Sequence, residues 1–148
     1  SGQLFGLSGK ALNERIEQLL ATVSLQKKAD ERTGRYSKGM LQRLGLAQAL
    51  INDPELLFLD EPMSGLDPIG RMDMRRIIED LKNGGKTVFF NSHLLPDVAA
   101  LCERVGLLSG GKLVAEAAIE EISPQRDARA LEEFFLKHIQ APAEEVVT

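Results

Sequence analysis

The sequence has few cysteines and aromatic residues and lacks long apolar runs. Its 148 residues contain one cysteine, one tyrosine and no tryptophan. A single cysteine excludes an internal disulfide framework and favours a reducing compartment. No apolar run approaches the roughly 20 residues of a membrane helix, and no basic segment followed by an apolar one opens the chain. We therefore expect a globular chain without a signal peptide or a membrane span.

Charge and composition narrow the choice further. The net charge is −4, with 43% apolar and 27% charged residues. These proportions are ordinary for a globular domain, and the length suffices for one domain with a real core. A basic nucleic-acid-binding domain is not indicated. We expect no nucleic-acid partner.

Helical patterns dominate the first third of the chain. Apolar residues recur at helical spacing over residues 9–24 and 41–51. Ser8 is in position to cap the first helix, and Pro54 prevents the second from continuing. Residues 26–35 are polar and predict a loop or a weak helix. We interpret residues 1–52 as a helical region.

The pattern changes after residue 53. The short apolar runs 56–59 and 87–91 predict buried strands of a parallel sheet. Between them, Asp67 and Pro68 mark the start of a helix that ends near residue 83. This alternation predicts an α/β layered fold with a mainly parallel sheet, and we assign residues 53–122 to its core part.

Three more elements are predicted toward the C-terminus. A β-hairpin turns at residues 109–111, and Ser123 with Pro124 opens a last helix within a C-terminal region 123–148. The tail from Gln140 is expected to fray. Between the second strand and the hairpin we predict a helix that carries Val98, Leu101, Cys102 and Val105.

Two adjacent carboxylates, Asp60 and Glu61, follow the first predicted strand. One can orient a metal ion through water, and the other can activate a water molecule. His93 follows the second strand, and parallel strands end at the same edge of a sheet. We therefore expect the three side chains to converge around one phosphate. The alternatives are an acidic turn for the carboxylates and an ordinary loop residue for the histidine.

A hydroxyl residue and a glycine, Ser37 and Gly39, stand just before the second predicted helix. Backbone N–H groups at a helix start favour anions, and glycine permits close approach. The alternative is that these residues only cap the helix.

Together these motifs resemble the ATP-binding subunit of ABC transporters. Residues 36–43 are similar to the signature motif, usually Leu-Ser-Gly-Gly-Gln, and residues 56–61 to Walker B with its catalytic glutamate. Residues 64–67 look like the D-loop, and His93 looks like the switch histidine. The resemblance extends over about residues 4–136, and the signature is most similar to those of exporters. Lys38 and Met40 depart from its commonest form.

The resemblance implies a partial P-loop NTPase-type fold preceded by the family's helical subdomain. It also implies ATP and Mg²⁺ as ligands. Asp60 would hold Mg²⁺ through water, Glu61 would polarise the attacking water, and His93 would contact the γ-phosphate. In the signature, the residues implied to bind the nucleotide are Ser37, Lys38 and Gly39. Asp67 would couple the two sites of a head-to-tail dimer.

The partners implied by the resemblance are a second nucleotide-binding subunit and a transmembrane permease. The permease would hold the subunit at the cytoplasmic face of a membrane. The family function is hydrolysis of ATP coupled to transport. The transported substrate is not implied by these motifs.

A phosphate-binding P-loop, Gly-x-x-x-x-Gly-Lys-Ser/Thr before a helix, is missing from the sequence. The pair Gly9-Lys10 lacks the first glycine and the hydroxyl residue. Segments 80–87 and 106–113 lead into strands, where the aligned amides of a helix start are absent. The chain therefore looks like the part of the subunit after Walker A and the glutamine loop. We expect it to be inactive alone.

Two alternatives remain open. One is a non-catalytic interaction fragment, which the missing P-loop supports. The other is a soluble ATPase of the same family that acts in chromosome maintenance or translation, although no long coiled coil is visible.

An unpaired strand edge also leads us to expect self-association of the isolated chain.

Overall fold

The computed structural model describes residues 8–140, except for the side chain of Gln140. The predicted fraying of the tail lies largely outside this range. The chain divides into two compact units, Ser1–Asn91 and Ser92–Thr148. None of the helices within residues 8–140 is long and apolar enough to cross a lipid bilayer.

Helices begin the first unit, as the apolar spacing predicts. Helix α1 spans Gly9–Thr22 and α2 spans Lys38–Ala49. Ser8 stands at the start of α1, but its side chain makes no capping hydrogen bond. The polar segment between the helices forms two short 3₁₀ turns, Gln26–Lys28 and Thr33–Arg35. The buried apolar residues of this part lie in both helices, in the connection between them and just after α2: Leu19, Val23, Leu25, Leu46, Ala47, Leu50 and Ile51.

A parallel pair of strands follows, β1 over Leu56–Asp60 and β2 over Thr87–Asn91. Helix α3 connects them over Pro68–Asn83 and packs against β2. The residues that α3 buries are the predicted apolar face: Met74, Ile77, Ile78 and Leu81. Asp60 is paired in register with Asn91, so both strands end at one edge of the sheet.

The prediction that both strands are buried is wrong. Leu57 is buried, but Phe58 is 71% exposed and its register partner Phe89 is 61% exposed. Successive strand residues point to opposite faces, so the two phenylalanines share one face, with ring centroids 5.5 Å apart. Among the described residues β1 pairs with β2 alone.

The second unit contains α4 (Leu95–Leu101), the hairpin strands β3 (Arg104–Ser109) and β4 (Lys112–Ala118), α5 (Ile119–Ile122) and α6 (Ala128–Gln140). The predicted hairpin is confirmed, and its turn glycines Gly110 and Gly111 have φ of 55° and 77°. Ala99, Ile119 and Leu131 form the buried cluster of this unit.

Two predicted helix bounds in this unit are wrong. Helix α4 ends at Leu101, because Cys102 is extended and Val105 pairs with Ala117 in the hairpin. Helix α6 begins at Ala128 and not at Ser123. The hydroxyl of Ser123 accepts a hydrogen bond from the amide of Asp127 at 2.6 Å, and Arg126 has φ of 56°. This turn separates α5 from α6.

Candidate functional site

The start of α2 carries the signature-like segment. Ser37 is the N-cap residue, and its Oγ accepts a hydrogen bond from the amide of Met40 at 3.3 Å. The first turn of α2 contains no acidic residue. The remaining N–H groups of a helix start carry partial positive charge and attract anions. Ser37 and Lys38 are exposed, and Gly39 is half-buried.

The loop 64–67 lies between β1 and α3. Ser64 N donates to Glu61 O at 3.0 Å, and Leu66 N donates to Met63 O at 3.3 Å. Asp67 caps α3, since its carboxylate accepts a hydrogen bond from Gly70 N at 2.6 Å. The carboxylate is exposed beyond this bond. A sequence of Asp followed by Pro at the start of a helix favours this geometry.

The first turns of α2 contact this loop directly. Gln42 Nε2 donates to Ser64 O at 3.2 Å. A methyl group added to Gly39 would lie 3.2 Å from Leu66 Cδ2, so the glycine allows the loop to approach. Farther along, Arg43 and Asp73 form an ion pair at 3.1 Å between α2 and α3. The structure therefore brings together the predicted residues Ser37, Lys38, Gly39 and Asp67 in one region of the first unit.

Asp60 and Glu61 stand at the end of β1. Asp60 is exposed. Glu61 has φ of 45°, a left-handed conformation that non-glycine residues rarely adopt. Its amide donates to the side-chain oxygen of Asn91 at 2.9 Å. One carboxylate oxygen of Glu61, Oε2, is buried. The two carboxylates therefore have different environments, although they are adjacent in sequence.

His93 belongs to the second unit and is exposed in the short connection before α4. The neighbouring Ser92 accepts a hydrogen bond from Leu94 N at 3.1 Å, which shapes this connection. The convergence of His93 with Asp60 and Glu61 stays a prediction.

The carboxylate of Asp60 is suited to contact a hydrated Mg²⁺. Magnesium keeps several waters and takes one or two carboxylates together with substrate phosphates. Within residues 8–140 no group of three or more His, Cys, Asp or Glu could hold a metal ion. A single exposed carboxylate at the strand end fits a metal that is bound mainly by water and phosphate.

Sequence reasoning missed two positioning side chains, Asn91 and Gln42. Asn91 was assigned only to the strand, but the parallel register places it opposite Asp60, where it reaches the amide of Glu61. A polar residue at the end of the neighbouring strand was the available signal. Gln42 was recognised only as part of the signature-like segment.

The glycine–lysine segments that do not match a P-loop lie where the sequence predicts them, before strands or at a helix start without a hydroxyl residue. Gly85 and Lys86 precede β2, and the segment with Gly110 and Gly111 is the hairpin turn. Lys86 Nζ bonds to Asp53 Oδ1 at 2.8 Å and to Pro54 O at 2.9 Å, so it is engaged within the fold. Gly9 and Lys10 open α1, where Ala11 stands in place of the hydroxyl residue.

A family model described as ABC transporter matches residues 4–64. An ABC transporter ATP-binding protein of Nostoc sp. is 55% identical over 124 residues, which is 80% of this chain and 36% of that protein. A fluoroquinolones export ATP-binding protein of Mycobacterium tuberculosis is 47% identical over 112 residues, which is 76% of this chain and 37% of that protein. A bacitracin transport ATP-binding protein of Bacillus licheniformis is 43% identical over 118 residues, 79% of this chain and 38% of that protein. This chain spans about a third of the length of these relatives.

Solved structures agree on the fold. A structure described as an ATP binding subunit of an ABC transporter aligns with a TM-score of 0.74 at 25% identity, over 94% of this chain and 59% of that chain. A nucleotide-free ATP-binding cassette from an ABC transporter aligns with a TM-score of 0.77 at 22% identity, over 93% of this chain and 52% of that one. The predicted α/β fold of the P-loop NTPase type is thus confirmed.

Proposed function

We propose that this chain, which belongs to the family of ABC transporter ATP-binding proteins, supplies the signature, Walker B and D-loop portion of a subunit that couples ATP hydrolysis to transport. The observation that carries the proposal is the contact between the signature-like turn of α2 and the loop 64–67, next to the carboxylates that end β1. Export is the favoured direction, because relatives are named for the export of fluoroquinolones and Nod factor.

The proposed chemistry depends on position and charge, as in phosphoryl transfer generally. Asp60 would hold Mg²⁺ through water, and the ion would neutralise phosphate charge. Glu61 would accept a proton from the attacking water, and its conformation is supported by the hydrogen bond to Asn91. His93 would contact the γ-phosphate. These roles are proposals that rest on the resemblance and on the local geometry.

The exposed start of α2 would contact a nucleotide held by another subunit. Ser37 and Gly39 offer a hydroxyl and amides in a turn without acidic residues. Lys38 adds a positive charge at the same place. Asp67, at the start of α3, would face the partner subunit and couple the two sites. We propose a head-to-tail pair of subunits, joined to a permease at the cytoplasmic face of a membrane.

A chimera tests the function. Residues 4–136 would replace the matching segment of the Mycobacterium tuberculosis relative, and ATP hydrolysis and binding would be measured. We expect hydrolysis by the chimera and a loss of about 10²–10⁴ in rate with Glu61→Gln, with ATP binding retained. Glu55→Gln, at an exposed acid just before β1, is the control. If Glu61→Gln hydrolysed ATP within tenfold of the parent, Glu61 would not be the base.

The second candidate is a non-catalytic fragment that only pairs with another subunit. The same chimera separates the two candidates. A chimera that folds and binds ATP, but shows no hydrolysis with Glu61 intact, would favour the non-catalytic function.

A further inference from the structure

The side chain of Lys38 lies across Gly65 of the loop 64–67. A Cβ atom added to Gly65 would collide with Lys38 Nζ, and would lie 3.1 Å from its Cε and 3.4 Å from its Cδ. The last part of the lysine side chain therefore covers the glycine. Gly65 has φ of 69°, so glycine serves two needs here: the left-handed backbone and the space that Lys38 occupies.

Charges within the described residues do not explain a lysine at this position. Lys38 is the first residue of α2, where the partial positive charge of the helix start disfavours a cation. It takes part in none of the ion pairs among residues 8–140, and no acid in the first turn compensates it. The contact with Gly65 is the feature that gives this side chain a defined place.

Two neighbours of Lys38 hold the same loop. Gly39 meets Leu66, and Gln42 donates to the carbonyl of Ser64. Residues 38 and 42 are one turn apart and so project from the same face of α2. Three consecutive loop residues, Ser64 to Leu66, are therefore contacted by one face of one helix.

We propose that Lys38 is a positioning residue, which with Gln42 fastens the loop 64–67 to the first turns of α2 so that both move as one body. Contacts within the chain then determine the conformation of the loop and the position of the Asp67 cap of α3. Any consequence for hydrolysis rests on the proposed function. The fastening itself does not.

Amide hydrogen exchange of the full 148-residue chain, without nucleotide, tests the fastening. The reporters are the amides of Ser64, Leu66 and Gly70, which are hydrogen-bonded within the loop and its cap. We expect Lys38→Ala to speed their exchange by about 1.5- to twofold, the effect of losing one exposed side-chain contact. Gln42→Met should speed it about two- to tenfold, the effect of one lost hydrogen bond.

Three comparisons isolate the contact. Lys38→Met keeps an unbranched stem without the charge and should restore parental exchange. Lys27→Ala, at an exposed lysine in the first 3₁₀ turn, should leave the loop unchanged. The amide of Gly84, bonded to Asp80 O at the far end of α3, should exchange equally in all variants, which excludes general loosening.

Gly65→Ala provides a second and independent test. The added methyl group should displace Lys38 and loosen the loop, so that Lys38→Ala adds little when combined with it. Additive effects of the two substitutions would overturn the contact. Slower loop exchange in Lys38→Ala would also overturn it, because that result means that repulsion at the helix start outweighs packing. In either case Glu61→Gln in the chimera still tests the proposed function separately.

Discussion

Replacement of Asn91 should release Glu61 from its present conformation. Glu61 has φ of 45°, and a left-handed conformation costs a non-glycine residue about 1–2 kcal/mol. The hydrogen bond from its amide to Asn91 Oδ1, 2.9 Å long, contributes about 0.5–1.5 kcal/mol. The two terms are similar in size, so we expect loss of the bond in Asn91→Ala to let this turn relax. The amide of Glu61 should then exchange about two- to tenfold faster.

The assay is amide exchange by NMR, read at Glu61 and at a reference amide such as that of Gly84, which is bonded to Asp80 O. Asn91→Asp keeps an acceptor oxygen and should preserve slow exchange at high salt, which screens repulsion from Asp60 and Glu61. Asn52→Ala, at an exposed turn residue, is the matched control. Unchanged exchange of the Glu61 amide in Asn91→Ala would show that the bond to Asn91 does not hold this conformation.

Three further outcomes are expected. The exposed pair Phe58 and Phe89 should drive self-association of the isolated chain. Light scattering over a concentration series should show less self-association for Phe58→Ser. A parent chain that stays monomeric at high micromolar concentration would contradict this. Lys86 and Arg15 hold the pKa of Asp53 below its ordinary value of 3.8. The stability that this carboxylate contributes is therefore present above pH 3.8 and is lost as the pH falls through the lower pKa of the folded state. The difference in stability between the parent and Asp53→Asn should shrink in acid, and a constant difference would contradict the ion pairs. Arg126 Nη1 lies 3.1 Å from the carbonyl oxygens of Ala99, Ala100 and Cys102, so Arg126→Ala should lower the thermal midpoint of the second unit more than Arg129→Ala does, and equal effects would argue against this cap of α4.

Local signals in the sequence were sufficient for much of the first unit. Asp67 followed by Pro68 is a cap signal, and α3 begins there as predicted. Helix α2 begins at Lys38, three residues before the predicted start at residue 41, because Ser37 caps it. The apolar face of α3 was likewise readable from spacing alone. These features depend on neighbours within one or two turns.

Long-range pairing decided what the sequence could not predict. Val105 continues the apolar spacing of α4, but its pairing with Ala117 places it in a strand. The bond between Glu61 and Asn91 joins residues 30 apart and depends on the strand register. The apolar run of β1 predicted burial on both faces, yet the described fold covers the face of Leu57 and leaves Phe58 exposed.

We propose that Asp60 and the signature-like segment 36–43 serve ATP and its metal ion, while the sequence contains no Gly-x-x-x-x-Gly-Lys-Ser/Thr motif. Calorimetric titration of Mg-ATP into the isolated chain tests this proposal. Asp60 and Glu61 repel phosphate, and a few hydrogen bonds at the start of α2 supply at most about 4 kcal/mol, a dissociation constant on the order of millimolar. We predict binding no tighter than that. A dissociation constant in the low micromolar range would contradict the proposal, since one of the rejected glycine–lysine segments would then be a working phosphate site.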